Sequence, residues 1–267
     1  MRHVRTHREG VSNVISTVIL ASALLVVMLI ASFVANDALS IQMSSSEFKA
    51  AEGLAITIER EINKIMFRQA SSAAIKVTFS TTAPGYLRTG QNMTVSFSGG
   101  ITKNYTIPLN RFIIEGRQEI GGAFEYDVLG DSSLLVTPYN GSFGRVHVSK
   151  PLQYRASLDF ERVQYAYTGD ASIFNGTQYV KVNTLEVTAI VLDFGSFRPS
   201  GNSLILVQNS QVLSDSFDMP SGNFSLTVGI GGGSEQIYLS AMGGDSRYPT
   251  LVRFHRVTIR ISVVEGG

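Results

Sequence analysis

The sequence predicts an α+β fold, in which a long N-terminal helix, first hydrophobic and then amphipathic, precedes an antiparallel all-β, sandwich-like domain. Residues 11–35 contain no charged residue, no proline and no glycine, which is typical of a helix that is apolar on every face. All seven prolines and 23 of the 25 glycines lie from Pro84 onward, since only Gly10 and Gly53 come earlier. The composition therefore predicts a helix first and turn-rich strands afterwards.

The uncharged run at residues 11–35 is long enough to cross a membrane. At about 1.5 Å per helical residue it spans roughly 37 Å, whereas a bilayer core is about 30 Å thick. Arg2, Arg5 and Arg8 precede the run, and basic flanks of this kind stay in the cytoplasm. We therefore expect a single-pass cell-membrane protein with a cytoplasmic N-terminus and its C-terminal mass outside the cell.

A glycine lies between these basic residues and the apolar run. The segment REG at residues 8–10, followed by VSNVI at residues 11–15 and the long apolar run, resembles the class III signal of archaeal type IV pilin-like proteins. That family includes pilins and archaellins. The resemblance implies that residues 1–10 are a leader, which a prepilin-type peptidase removes by cutting between Gly10 and Val11. It also implies that the helix stays on the mature chain.

Small and hydroxyl residues interrupt the apolar run at regular spacings. These candidate helix-packing residues are Ser12, Ser16, Thr17, Ala21, Ala31 and Ala35. They form three pairs whose members are four residues apart, and such pairs let helix backbones approach closely in apolar surroundings. A second interpretation, in which these residues simply face lipid, fits the same spacing.

Residues 38–69 predict an amphipathic extension of this helix, so that helical structure covers residues 11–70. The apolar residues Phe48, Ala51, Ala55, Ile58, Ile62 and Ile65 recur at spacings of three or four. This places them on one helical stripe, while charged residues, Glu59 among them, cover the other faces. Two interpretations stay open: the stripe packs against the chain's own β domain, or it forms a seam between subunits. A kink is expected at Asn36-Asp37 or at Gly53.

Residues 71–267 predict an extracellular β domain with a core of its own. The runs MTVSFS, at residues 93–98, and ITKNYTI, at residues 101–107, flank two glycines, which is a hairpin signal. Residues 251–264 alternate over a long run and predict a central strand. Many such runs with short turns between them favour an antiparallel sandwich or barrel. A division into two β subdomains near Lys150-Pro151 is the alternative.

The composition excludes several kinds of site. Without residues 1–10 the chain has 22 − 3 = 19 basic and 21 − 1 = 20 acidic residues, which leaves no basic footprint for nucleic acid. No cysteine is present, so disulfides, thiolate nucleophiles and cysteine metal sites are excluded. His147 and His255 lie in no nucleophile-elbow motif, and two histidines are too few for a histidine-rich zinc site. We expect no catalytic residue, no metal and no cofactor.

Five N-x-S/T sequons follow the helix, and each can accept a glycan only outside the membrane. They begin at Asn92, Asn104, Asn140, Asn175 and Asn223.

The glycine-rich residues 229–234 predict a hairpin turn instead of a phosphate-binding loop, because a strand-like run follows them. Asp215 and Asp218 lack the alternating oxygen ligands of a calcium loop.

The resemblance and the apolar run lead to one functional expectation and one alternative. The expectation is a structural subunit, major or minor, of an archaeal type IV pilus-like surface filament with no enzymatic activity. Its partners are then the membrane, the prepilin-type peptidase, copies of itself or other pilin-like subunits, and surface glycans. The alternative is a membrane-anchored extracellular β-sandwich binding module that does not polymerise.

Overall fold

The computed structural model describes residues 7–79, 82–116, 123–150, 154–174, 176–199, 201–220 and 222–265, and for residues 7–14 and 44 it describes the backbone alone. The chain divides into two compact units, Met1–Ser46 and Glu47–Gly267. We call them the helical unit and the β unit and describe each by itself.

One helix, α1 (His7–Ile65), contains the predicted apolar run and most of its amphipathic extension. Helical hydrogen bonding continues through Asn36-Asp37 and Gly53, so both segments belong to one helix. The helix ends four residues before the predicted boundary at Gln69. Its last carbonyls have no intrahelical partner, and the buried Asn209 side chain donates hydrogen bonds to the carbonyls of Ile65 (3.2 Å) and Met66 (2.8 Å).

Thirteen strands occur among the described residues, and they form two sheets. In chain order they are β1 (Ser72–Thr78), β2 (Thr82–Ser98), β3 (Thr102–Gly116), β4 (Phe124–Leu129), β5 (Val136–Pro138), β6 (Arg145–Lys150), β7 (Arg155–Asp159), β8 (Val163–Phe174), β9 (Tyr179–Phe197), β10 (Asn202–Met219), β11 (Ser225–Ile230), β12 (Gly233–Tyr238) and β13 (Thr250–Glu265). A short 3₁₀ helix, Leu239–Met242, follows β12. The predicted α+β, sandwich-like fold class is confirmed.

The six-stranded sheet has the order β1-β10-β13-β9-β8-β5, and the seven-stranded sheet has the order β12-β11-β2-β3-β7-β6-β4. Strand pairs are antiparallel except β13 with β9 and β5 with β8. The strand β13 lies between β9 and β10, which run in opposite directions, so it must be parallel to one of them. Its central position agrees with the prediction for residues 251–264. Both sheets combine strands from before and after residue 150, so no division of the sheets falls there.

Two predicted hairpins are confirmed, and glycines form both turns. The pairing of Ser98 with Thr102 closes the hairpin of β2 and β3, where Gly100 has a φ of 82°. The turn between β11 and β12 uses Gly231 and Gly232, with φ values of 57° and 102°. Such positive φ angles are open to glycine at little steric cost.

The apolar core of the β unit has two parts. In one part the two sheets pack directly on each other, for example through Phe97 of β2 and Phe254 of β13. In the other part the end of α1 packs against both sheets. The helix residues buried there are Ala51, Leu54, Ala55, Ile58, Ile62 and Ile65, and Met66, directly after the helix, is buried with them. The interpretation in which the helical stripe packs against the chain's own β domain is thus confirmed. The compact unit begins at Glu47 instead of at the composition change near residue 71.

Candidate functional site

The apolar segment, which we define as Ile15–Ala35 of α1, exposes every one of its side chains. Phe33 is 74% exposed, and Leu24, the least exposed large side chain of the segment, is still 49% exposed. By length and composition the helix is able to cross a membrane. Soluble monomers rarely expose apolar patches of more than a few hundred Å². The exposed surface of the segment is therefore suited to contact with lipid or with other apolar helices.

Four of the six predicted helix-packing residues lie on one side of the apolar segment. At about 100° per residue, Thr17, Ala21, Ala31 and Ala35 fall within about 40° of one line along the helix. Ser16 lies about 100° away from that line, and the side chain of Ser12 lies outside the described residues. Leu24 and Met28 complete the same line with alternating spacings of four and three, the repeat of helices that pack along a seam. We call these six positions the packing stripe: Thr17, Ala21, Leu24, Met28, Ala31 and Ala35.

One hydroxyl group of the apolar segment is satisfied within its own helix. The hydroxyl of Ser22 donates a hydrogen bond to the carbonyl oxygen of Ile19, with an oxygen–oxygen distance of 2.8 Å. Such back-bonding satisfies a serine within its own helix. The predicted cleavage site, Gly10 and Val11, lies in the helical backbone of α1, and its side chains lie outside the described residues.

The predicted sequons place their asparagines at the surface wherever the structure describes them. Asn92, Asn104, Asn140 and Asn223 are exposed, and Asn175 lies outside the described residues. Asn92 and Asn104 belong to the paired strands β2 and β3 and share their solvent face, because Asn104 is opposite Ser96 and Asn92 is opposite Pro108. The geometry leaves room for glycans at the four described positions.

The two histidines of the β unit make cross-strand contacts. His147 lies between two carboxylates, with Nδ1 2.8 Å from Asp127 and Nε2 3.0 Å from Glu125. The Nδ1 atom of His255 is 2.8 Å from the hydroxyl of Ser214, but no described carboxylate contacts its other ring nitrogen. Among the described residues no group of three histidine, aspartate or glutamate side chains is placed to hold a metal.

A largely buried ionic cluster links Arg111 inside β3 to the start of β6 and the end of β7. The carboxylate of Asp159 is fully buried and lies 2.8 Å from Nη2 and 3.0 Å from Nε of Arg145. Arg111 donates two hydrogen bonds to Glu161, at 2.6 and 2.8 Å. Paired arginine–carboxylate contacts of this kind are strong and geometrically specific. The cluster therefore ties β3, β6 and β7 together.

Glu59 is buried, although the helical pattern had placed it on a charged face. Its carboxylate accepts hydrogen bonds from the Asn63 amide (2.6 Å) and from the backbone N–H of Gly144 (3.3 Å). No cation contacts it among the described residues, and burial raises the pKa of Glu59. A Cβ atom at Gly144 would lie 2.4 Å from Glu59 Cγ, so glycine is required for this approach. Helical periodicity cannot reveal a loop that covers one polar position.

An apolar slot of about 190 Å³ opens between the two sheets. We define the slot by its lining residues: Tyr105, Leu213, Ser214, Asp215, Phe254 and Arg256. The ring centroids of Tyr105 and Phe254 are 4.4 Å apart, and they form the aromatic wall. The Tyr105 hydroxyl donates a hydrogen bond to Asp215, and burial together with this carboxylate raises the pKa of Tyr105.

The slot lies where β10 is an open strand edge. The edge strand β1 pairs with β10 only over Asn202–Gln208. Among the described residues no strand covers the outer side of Gln211–Met219, and Leu213 is 39% exposed there. Sequence analysis missed the slot because it depends on strand register, which places Asp215 opposite Phe254 and Leu213 opposite Arg256. Only the paired aspartates near it, Asp215 and Asp218, had been noticed.

No protein-family model, curated protein or solved structure matches the chain. The pilin-like interpretation therefore depends on the residues around Gly10 and on the apolar segment.

Proposed function

We propose that the protein is a structural subunit of an archaeal type IV pilus-like surface filament. The observation that supports this most is the apolar segment, which exposes all its side chains and yet contains no charge. A membrane would cover that surface before assembly. Copies of the same helix would cover it afterwards, because packing in apolar surroundings depends on close contact between helices.

The packing stripe is suited to that second state. Thr17, Ala21, Ala31 and Ala35 are small enough to let neighbouring backbones approach. Contacts between different surfaces of identical subunits generate open helical polymers when the rotation does not close a ring. In this proposal the prepilin-type peptidase cuts between Gly10 and Val11, and the released subunit joins copies of itself or other pilin-like subunits. The β unit then faces the outside and carries any glycans.

A second candidate function is a membrane-anchored binding module that does not polymerise. The slot favours it, since ligand sites are concave, mainly apolar and contain a few placed polar groups. Asp215 and Arg256 provide such groups. The two proposals share the anchor and the orientation, and they differ in whether copies of the chain contact each other.

Substitution in the middle of the apolar segment tests the first proposal. Leu25→Arg places a cation where it has no partner, at an insertion cost of about 2.5–3.5 kcal/mol and more in a dry helix bundle. Gln42→Arg is the matched control, because Gln42 is an exposed polar position of the same helix. We expect surface filaments by electron microscopy from the wild type and from Gln42→Arg, with this chain identified in them by peptide analysis.

We expect no filaments from Leu25→Arg, and membrane fractionation separates failed insertion from failed assembly. Filaments from the Leu25→Arg protein would refute assembly through the apolar segment. A wild-type protein that stays a membrane-bound monomer and binds a defined ligand would favour the binding module.

A further inference from the structure

The hairpin of β8 and β9 extends beyond the rest of its sheet. The strand β13 pairs with β9 only from Asn183 onward, and β5 pairs with β8 only over Val163–Tyr165. Among the described residues, the hairpin therefore consists of two strands only, from the pair of Asp170 with Asn183 to the pair of Phe174 with Tyr179. Isolated two-stranded hairpins are marginally stable in water, so this projection needs either internal or external support.

Large apolar side chains lie exposed at the end of this projection. We call Ile173, Phe174 and Tyr179 the aromatic tip, and their side chains are 42%, 55% and 75% exposed. The rings of Phe174 and Tyr179 make contact across the strands, with centroids 5.3 Å apart and ring planes tilted by 53°. This cross-strand pair stabilises the hairpin, but it leaves more than half of each ring in water. Residues 171–180 contain no charge, so a partner can cover the tip without burying an ion.

The slot has the size of one aromatic ring. An engineered protein cavity of about 150 Å³ holds benzene, and the slot measures about 190 Å³. Its aromatic wall consists of Tyr105 and Phe254, and an inserted ring can pack against them edge to face. Arg256 lies at its margin, where a guanidinium complements the negative face of an aromatic ring. Shape and charge therefore both suit a phenyl group.

We propose that the aromatic tip of one copy inserts Phe174 into the slot of a second copy. This inference rests on the proposed assembly, because it adds a contact between the β units of copies that the apolar segments bring together. The tip belongs to β8 and β9, whereas the slot belongs to the other margin of the same sheet, at β10. Since the two surfaces differ, the contact is heterologous and continues from copy to copy.

The contact is small. Three side chains bury at most several hundred Å², whereas a stable interface needs about 800 Å² on each partner. The tip and slot therefore do not hold a dimer by themselves. They act when the apolar segments already hold copies close together, because tethering raises the effective concentration of the second contact. The contact then selects one register between neighbouring β units.

Disulfide cross-linking tests the contact directly, because the natural chain contains no cysteine. The double variant Tyr179→Cys/Leu213→Cys, which keeps Phe174, is oxidised in the full-length membrane or filament form and run on a non-reducing gel. Leu213 pairs with Arg256 of β13, which in turn pairs with Ala189 of β9. Ala189 is ten residues from Tyr179 along β9, which is roughly 33 Å at about 3.3 Å per residue. A disulfide needs Cα atoms within about 7 Å. Any bond between the two positions therefore joins different copies.

We expect a ladder of dimers, trimers and higher species that reductant removes. Each single variant should give dimers at most. The matched control is Tyr238→Cys/Leu213→Cys, because Tyr238 is also an exposed aromatic residue, 53% exposed, but belongs to β12 of the other sheet. A ladder no stronger than that of the control would overturn the proposal.

Thiol labelling gives a second readout that does not depend on bond formation. In Leu213→Cys filaments, a maleimide should react many-fold more slowly than in detergent-dispersed subunits. Adding Phe174→Ser should restore fast labelling, whereas Tyr238→Ser should not. Protection that persists with Phe174→Ser would mean that another partner fills the slot, and it would overturn the proposal.

The outcomes separate this contact from the proposed function. Filaments without a ladder would reject the contact and leave assembly through the apolar segment intact. A ladder in membranes without filaments would support the contact and reject the filament. The absence of both would reject both.

Discussion

Removal of the helix end should unfold the β unit. A fragment that begins at Ser71 lacks five large apolar side chains of the core: Leu54, Ile58, Ile62, Ile65 and Met66. Burial of each contributes about 1.5–3 kcal/mol, so the loss is about 8–15 kcal/mol and equals the total stability of a typical domain, about 5–15 kcal/mol. Asn209 would also lose the two carbonyls that accept its hydrogen bonds.

The assay compares two fragments and two point variants by thermal and denaturant unfolding. Residues 47–267 should melt cooperatively, and residues 71–267 should not. Within residues 47–267, Ile58→Ala should lower the free energy of unfolding by about 2–5 kcal/mol, the usual range for buried isoleucine truncation. Thr57→Ala, at an exposed position next to it, should change it by no more than about 0.5 kcal/mol.

Equal melting midpoints for the two fragments would refute this reasoning. The β sheets would then have a complete core without the helix, as the change of composition near residue 71 had suggested.

Three further predictions concern the helix, its buried carboxyl group and its processing. Ala31→Leu, on the packing stripe, should reduce the filament yield in electron micrographs, whereas Ala23→Leu, about 120° from the stripe, should leave it unchanged. Burial raises the pKa of Glu59 above its ordinary value of 4.5, so the folded state binds the carboxyl proton more tightly than the unfolded state. The stability that this proton contributes is therefore present at acid pH and is lost as pH rises through the raised pKa. Glu59→Gln should remove this loss in unfolding experiments across pH, and equal pH profiles would contradict it. N-terminal sequencing of the membrane-fraction protein should begin at Val11, and an intact Met1 would contradict the pilin-like resemblance.

Periodicity predicted the elements of this fold better than their pairing. The long alternation of residues 251–264 indicated a central strand, and β13 is central. Its parallel pairing with β9 was not predictable, because side chains alternate with a period of two in either direction. The stripe from Ala51 to Ile65 was visible as a helical repeat, but the same repeat suits a core contact or a subunit seam. The packing of Ile58 and Ile62 against both sheets distinguishes the core contact from the subunit seam.

The candidate sites also differ in how well the sequence predicted them, because some are local in the chain and others depend on strand pairing. The apolar segment is a local property of the sequence, so residues 11–35 were sufficient to locate it. The slot joins Tyr105 to residues more than a hundred positions away, and such a site depends on register in two sheets. The burial of Glu59 was not predictable for the same reason, because it is caused by Gly144, which lies in a turn far away in the sequence.

The position of β13 has a consequence for how the chain acquires its structure. This strand separates β9 from β10, although it follows both of them in the sequence by more than thirty residues. The neighbours β9 and β10 cannot complete the sheet before β13 arrives, so the most buried pairings close last. Non-local pairing of this kind makes folding slow and leaves strand edges open in the meantime. Until Thr250–Glu265 has been synthesised, β9 and β10 therefore lack their shared neighbour, and the edges that face it stay open.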